Sequence, residues 1–237
     1  MNHADPRIQH VAQCVSTNDL AHELKPNGEI TAIIADEQTG GRGRMGRTWI
    51  SQPNQGLYLS WRSTPQFPAA QGGTLPLLVA VAVYDLCVSL GVRPELKWPN
   101  DILVNQSKLA GILCEARVQG DEWHAVAGIG LNISAPSEGW PSELIATSLS
   151  EHLDAPLNRD EIASDLLDRL EQLMDLANIN GTNWIVEQWM ERGPQPGTPM
   201  KIQAHSGRYL GLTVDGSIRM NVCDAEMVFS AGDVELI

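Results

Sequence analysis

The chain has 237 residues, 43% hydrophobic and 19% charged, which is enough apolar mass for a packed core and excludes disorder as the main state. Its 29 acidic and 16 basic residues leave a formal charge of -13, which excludes a surface that grips polyphosphate over most of its area and leaves room only for a local basic patch. The length suits one large domain, or a large domain with a small one.

The opening residues, MNHADPRIQH, lack the charged-then-apolar order of a signal peptide. Ser16-Thr17-Asn18-Asp19 ahead of Leu20, Ala21 and Leu24 has the composition of a helix start, and Lys25-Pro26-Asn27-Gly28 ends that helix. Residues 31–35 (TAIIA) read as a buried strand, residues 40–46 as a glycine- and arginine-rich loop. Residues 48–50 and 57–61 read as strands on either side of the turn Pro53-Asn54-Gln55-Gly56. The apolar stretch 74–90, closed by Gly91, predicts a buried helix; its most apolar part, residues 75–83, is too short to span a bilayer.

Short strands follow at 95–98 and 102–104 around Pro99-Asn100-Asp101, then a hairpin of 109–118 and 123–133 turning at Gln119-Gly120-Asp121-Glu122. Ile162, Leu166, Leu167, Leu170, Leu173 and Met174 have the spacing of one face of a helix over 159–177, and a second helix covers 182–192. Pro194, Pro196, Gly197 and Pro199 then break the chain ahead of short strand-like runs. The expected organisation is an α/β (α+β) domain over 1–193, with a mixed, mainly antiparallel sheet and helices on one side, then a small β-barrel over 194–237. A doubly wound sheet is excluded because the strands between 95 and 133 have no helices between them.

Gly41-Arg42-Gly43-Arg44-Met45-Gly46 fits the dinucleotide fingerprint G-x-G-x-x-G, but Arg47-Thr48-Trp49-Ile50 after it is strand-like where that motif needs a helix. What distinguishes the loop is its cations. Arg42, Arg44 and Arg47 fall within six positions of an acidic chain, and guanidinium groups clamp carboxylates or phosphates through paired donors. Like charges so close repel without an anion, so the loop is expected to be mobile until one binds. Lys97, ending a strand at a proline turn, can supply a point charge to a cleft. Asn100 and Asp101 can cap that turn, and Asp101 can partner a metal or a lysine. Gly128 and Gly130, one residue apart on a strand, leave a bare backbone face suited to a flat ring. Cys14, Cys87, Cys114 and Cys223 are scattered without a CxxC and read as reduced thiols of a cytoplasmic protein. No HExxH or GxSxG is present.

Taken in order, Ser16–Asn18, Gln38–Trp49 with GRGRxGRxW, Lys97-Trp98-Pro99-Asn100-Asp101, Lys108-Leu109-Ala110-Gly111-Ile112-Leu113 and Gly128–Asn132 resemble biotin–protein ligases. The resemblance implies a catalytic domain like that of class II aminoacyl-tRNA synthetases followed by an SH3-like barrel. It implies that biotin and ATP form biotinyl-5′-AMP with release of pyrophosphate. The biotin then passes to a lysine of the biotin carboxyl carrier protein of acetyl-CoA carboxylase. By resemblance Ser16, Thr17, Asn18 and Gln38 contact biotin, with Gly111 and Ile112 at its border. Arg42, Gly43 and Arg44 lie over biotin and the adenylate phosphate, and Lys97 reaches the biotin carboxylate and the α-phosphate. Arg42, Arg44 and Lys97 are the expected catalytic groups.

The adenylate side is assigned by the same resemblance to Arg44, Arg47, Trp49, Asn100, Lys108, Gly130 and Asn132. Mg²⁺ would accompany the ATP phosphates, with Asp101 the candidate carboxylate. Met45 stands where relatives often carry another arginine. The ligase motifs begin at Ser16, which leaves no room for the helix-turn-helix of repressor members, so no DNA and no membrane partner is expected. The state expected is a monomer or a ligand-promoted homodimer. A lipoate- or octanoate-transferring enzyme and a non-catalytic biotin- or adenylate-binding regulator are the alternatives.

Overall fold

The computed structural model describes residues 5–25, 28–53, 55–119 and 122–237. The first four residues and the expected turn residues Pro26, Asn27, Asn54, Gly120 and Asp121 lie outside them.

Seven strands build the main sheet: β1 (Ile8–Cys14), β2 (Ala32–Gln38), β3 (Gly56–Ser63), β4 (Glu95–Lys97), β5 (Asp101–Val104), β6 (Ser107–Gln119) and β7 (Glu122–Asn132). Their order is β1-β2-β3-β7-β6-β5-β4, with β1 and β2 parallel and every other pair antiparallel. The mixed, mainly antiparallel sheet is as expected. The edge strand β1 was not expected, and residues 48–50 form no strand: Thr48 makes only a single bridge to Arg42.

Strand alternation assigns the two faces. Ala32 and Ile34 of β2, with Ala125, Ala127, Ile129 and Leu131 of β7, join the main core, whereas Ile33 and Val126 point the other way. Three long helices cover the first face: α2 (Leu75–Ser89), α3 (Arg159–Asn180) and α4 (Thr182–Arg192), numbered after the short α1 (Thr17–His22). α2 is apolar nearly all round and buried accordingly, lying between the sheet and α3. The helical stretch Ala69–Ser89 is long and apolar enough to cross a bilayer, a correction to the reading of that run as too short, yet most of it is buried in this core. Asn158 caps α3, its side chain accepting from the Asp160 and Glu161 backbone N–H groups. α1 sits on the opposite face, where Ala21 packs on Ile33 and Val126.

A second, five-stranded sheet follows: β8 (Pro199–Ile202), β9 (His205–Leu212), β10 (Ile218–Val222), β11 (Ala225–Phe229) and β12 (Val234–Leu236), in the order β11-β10-β9-β8-β12. Trp98 joins it to the first. The indole is 3% exposed and its Nε1–H donates to the Gly216 carbonyl at 2.9 Å. Trp98→Phe keeps an aromatic ring but leaves that carbonyl without its donor, so stability is expected to fall by about 1–3 kcal/mol in denaturant titrations. An unchanged midpoint would mean that the indole N–H does not anchor the second sheet.

Candidate active site

The cleft lies on the α1 face of the sheet. In β7 the alternation that sends Ile129 and Leu131 into the core turns Gly128, Gly130 and Asn132 toward α1. The β6–β7 register sets Gly111 beside Gly130 and Leu113 beside Gly128, so glycines leave a stretch of bare sheet. Around it is a cleft of about 310 Å³. Ser16, Thr17, Asn18, Gln38, Arg42, Gly43, Arg44, Arg47 and Trp49 line it from the α1 and loop side, and Asn100, Asp101, Lys108, Gly111, Ile112, Gly130 and Asn132 from the sheet side.

One expected residue is not among them. Lys97 pairs across the ladder with Asp101, and Asp101 with Gly111, so Lys97 stands on the edge strand two strands out from Gly111. Asp101 itself lines the cleft, so at about 4.8 Å per strand the Lys97 backbone is roughly 5 Å beyond that lining. The lysine in the cleft is Lys108, whose Nζ donates to Asp101 Oδ1 at 2.7 Å and lies 5.4 Å from the centre of the Trp49 ring. Lys97 thus stands on the same face as Asp101, one strand beyond the residues that line the cleft, and Lys108 lies among them.

The glycine floor also differs from expectation. A Cβ on Gly130 would overlap the Trp49 indole, and one on Gly128 would overlap the Asn18 amide. The flat ring seated on Gly130 and Gly111 is therefore the chain's own Trp49, whose buried Nε1–H has no acceptor among the described residues. At the other end the polar groups are closely interlocked. Gln38 Oε1 accepts from the Thr17 N–H (2.8 Å) and hydroxyl (3.0 Å), while Gln38 Nε2 donates to Ser51 (2.9 Å). Asn18 Nδ2 donates to Glu115 (2.7 Å), and the Ser60 hydroxyl lies 2.6 Å from Asn18 Oδ1. Ser16, the α1 N-cap residue, makes no capping bond with its side chain.

The arginine loop is a small hairpin, with Gly43 N–H donating to the Arg47 carbonyl (2.7 Å) and Trp49 N–H to that of Gly41 (2.9 Å). Met45 (φ 56°) and Gly46 (φ 73°) make its left-handed tip. Each guanidinium meets an oxygen of the protein. Arg42 makes two bonds to Asp19 (2.7 and 3.0 Å) and a longer one to Glu115 (3.4 Å); Arg44 donates to Asn100 Oδ1 (3.0 Å); Arg47 Nη2 lies 2.9 Å from Asp233. The hydrogen bond from Arg42 holds the Asp19 carboxyl below its ordinary value, against the effect of burial. The repulsion expected among the three arginines is thus met by carboxylates of this chain. Behind this group, burial holds His22 below the usual imidazole value.

Asp101 accepts from Lys108, and among the described residues no three His, Cys, Asp or Glu side chains gather as metal ligands. Asn132 Nδ2 donates to the Thr147 carbonyl (2.9 Å) and tethers the segment before Thr147 to the end of β7. That segment supplies cleft residues the sequence reading missed: Trp140, Leu144, Ile145 and Ala146. Their signal was the placing of large apolar residues in a polar loop; Ile145 is 75% exposed. A second hollow of about 460 Å³ shares Ile50, Asn132, Trp140 and Leu144 with the cleft.

Residues 7–132 match the model of the biotin/lipoate A/B protein ligase family. The chain is 34% identical over 231 residues to the bifunctional ligase/repressor BirA of Bacillus spizizenii, covering 93% of this chain and 71% of that protein. It is 34% identical over 243 residues to a biotin–[acetyl-CoA-carboxylase] ligase of Mycobacterium tuberculosis, covering 96% and 88%. Among solved structures, the biotin protein ligase of Aquifex aeolicus in complex with biotin and ATP superposes with a TM-score of 0.80 at 26% identity, covering 97% of this chain and 98% of that one.

Proposed function

The chain belongs to the biotin/lipoate A/B protein ligase family, and from that premise we propose that its cleft joins biotin to ATP and hands the biotin to a carrier lysine. The observation that carries this reading is the asymmetry of the cleft. One end has interlocked donors and acceptors at Thr17, Asn18 and Gln38, suited to a small ureido ring, and the other has two cations, Lys108 and Arg44, for carboxylate and phosphate.

The biotin carboxylate oxygen attacks the α-phosphorus of ATP, the bond to the β-phosphate oxygen breaks, and pyrophosphate leaves. Anion approaches anion, so cations already in place lower the barrier without reorganising. Lys108 takes the role first expected of Lys97, and Arg44, held at Asn100, is the loop cation aimed into the cleft. Arg42 is spent on Asp19 and Glu115, which makes it a positioning residue for the loop. In the second step the uncharged ε-amine of a carrier lysine attacks the acyl carbon and AMP leaves.

With Asp101 occupied by Lys108, the residues present do not make a ready magnesium site. Mg²⁺ in this reading arrives on the triphosphate, and no step is assigned to it. The carrier is the biotin carboxyl carrier protein of acetyl-CoA carboxylase, as the names of the relatives suggest. The two separate sheets support a division into a catalytic domain, 1–193, and a small β domain, 194–237. The charge of -13 supports an enzyme that does not bind DNA, and the four free cysteines support a cytoplasmic one.

The test supplies the enzyme with Mg-ATP, a carrier domain, and either biotin or lipoate. Mass spectrometry is expected to show biotin on the carrier's target lysine, no biotin on a carrier with arginine there, and no lipoate. Equal transfer of lipoate would favour the alternative acyl specificity, and no transfer of either would contradict the reading.

A further inference from the structure

The arginine loop is tied to the C-terminal sheet by one carboxylate. Asp233 Oδ2 lies 2.9 Å from Arg47 Nη2 and its Oδ1 lies 3.8 Å from Arg44 Nη1, while the adjacent Gly232 carbonyl accepts from Arg44 Nη1 at 3.5 Å. The sheet fixes where that carboxylate stands. Val234, the next residue, is 2% exposed and pairs with Ile202 of β8. On the other side Gly232 has φ 144°, and a Cβ there would come within 2.9 Å of the Ile202 side chain. Asp233 is therefore carried on a rigid corner between a buried strand and a turn that only glycine fits.

The loop's base is held separately, by Arg42 on Asp19 of α1. Its tip is exposed at Met45, and the space beside Gly46 is open. Asp233 thus restrains the part of the hairpin that the base leaves free.

We propose that Asp233 is a positioning residue for the ligase reaction: it clips the C-terminal sheet to the arginine loop and keeps Arg44 and Arg47 over the cleft while an acyl-adenylate is bound. The proposal rests on the reading of the cleft as an adenylate-forming site. The ion pair has the right strength for the task. The Arg47 and Asp233 side chains are 59% and 44% exposed, so the pair is weak and screened by salt, and it can open each time an intermediate must reach its acceptor. A buried pair at the same place would lock the loop.

The test loads wild type, Asp233→Asn and Asp233→Glu with biotin and Mg-ATP and follows release of the adenylate through tryptophan fluorescence at rising NaCl. Asp233→Asn is expected to release it about two- to fivefold faster at low salt. It should also lose part of the wild-type acceleration by salt, and Asp233→Glu should stay close to wild type. Hydrogen exchange over residues 42–48 without ligand should be faster in Asp233→Asn by a similar factor. Release from Asp233→Asn as slow as wild type would overturn the proposal. Slower release would overturn it in another way, by showing that Asp233 competes with phosphate for the arginines. If wild type formed no adenylate, the functional reading would fall and take the clip with it.

Discussion

A folded Lys108→Ala protein is expected to release biotin-dependent pyrophosphate about 10²- to 10³-fold more slowly than wild type, the usual cost of removing one preorganised charge-stabilising group. Lys108 is the lysine in the cleft, and its Nζ is oriented by Asp101 at 2.7 Å. Its loss also leaves the Asp101 carboxylate unpaired beside the incoming phosphates, adding repulsion to the missing attraction. The comparison variant is Lys97→Ala, which removes the same charge from the edge strand β4. Lys97 is half-buried beside Asp101, about one strand beyond the lining, so its charge acts from farther away than that of Lys108 and a loss of less than about tenfold is expected. Steady-state assays of both variants, with circular dichroism to establish folding, decide between the two lysines. A severe loss at Lys97 with a mild one at Lys108 would reverse the assignment.

The second large effect is steric. Gly128→Ala places a methyl group where the Asn18 amide now lies. Asn18 is 3% exposed and cannot swing into solvent without leaving Ser60 and Glu115 behind it. Overpacking of this kind typically costs about 1–3 kcal/mol of stability. Pushing the Asn18 amide aside also weakens one contact at the proposed biotin end of the cleft, which corresponds to about a tenfold loss of affinity. Biotin titration by calorimetry, at a temperature where the variant remains folded, is expected to show that loss. Unchanged affinity would mean that Asn18 does not face the ligand.

The long elements were legible because their patterns are local. The apolar run that became α2, the helical spacing of Ile162 to Met174 and the β6–β7 hairpin all declare themselves within twenty residues or so. β1 did not, because IQHVAQC lies on the sheet edge with every residue partly or fully exposed, so burial never imposed an apolar alternation on it. The choice between Lys97 and Lys108 turned on strand order. β5 separates the two lysines in the chain, and the β6-β5-β4 succession sets Lys108 among the lining residues and Lys97 one strand beyond Asp101.

The loop's charges illustrate the same limit. Its partners Asp19, Glu115 and Asp233 come from α1, β6 and the C-terminal sheet, with nothing in the surrounding sequence to connect them. Reading Arg42, Arg44 and Arg47 alone therefore overstated their freedom. Gly128 and Gly130 were legible as a bare surface, but what covers it, Asn18 over Gly128 and the Trp49 ring over Gly130, comes from far earlier in the chain.

The central claim is that this cleft forms an acyl-adenylate from biotin. Exchange of labelled pyrophosphate into ATP reports that step alone, without a carrier protein or any later transfer. The enzyme is expected to catalyse exchange only when biotin is present, and the Lys108→Ala variant to have lost nearly all of it. Exchange that proceeds equally without biotin, or none with it from a folded wild-type protein, would contradict the claim.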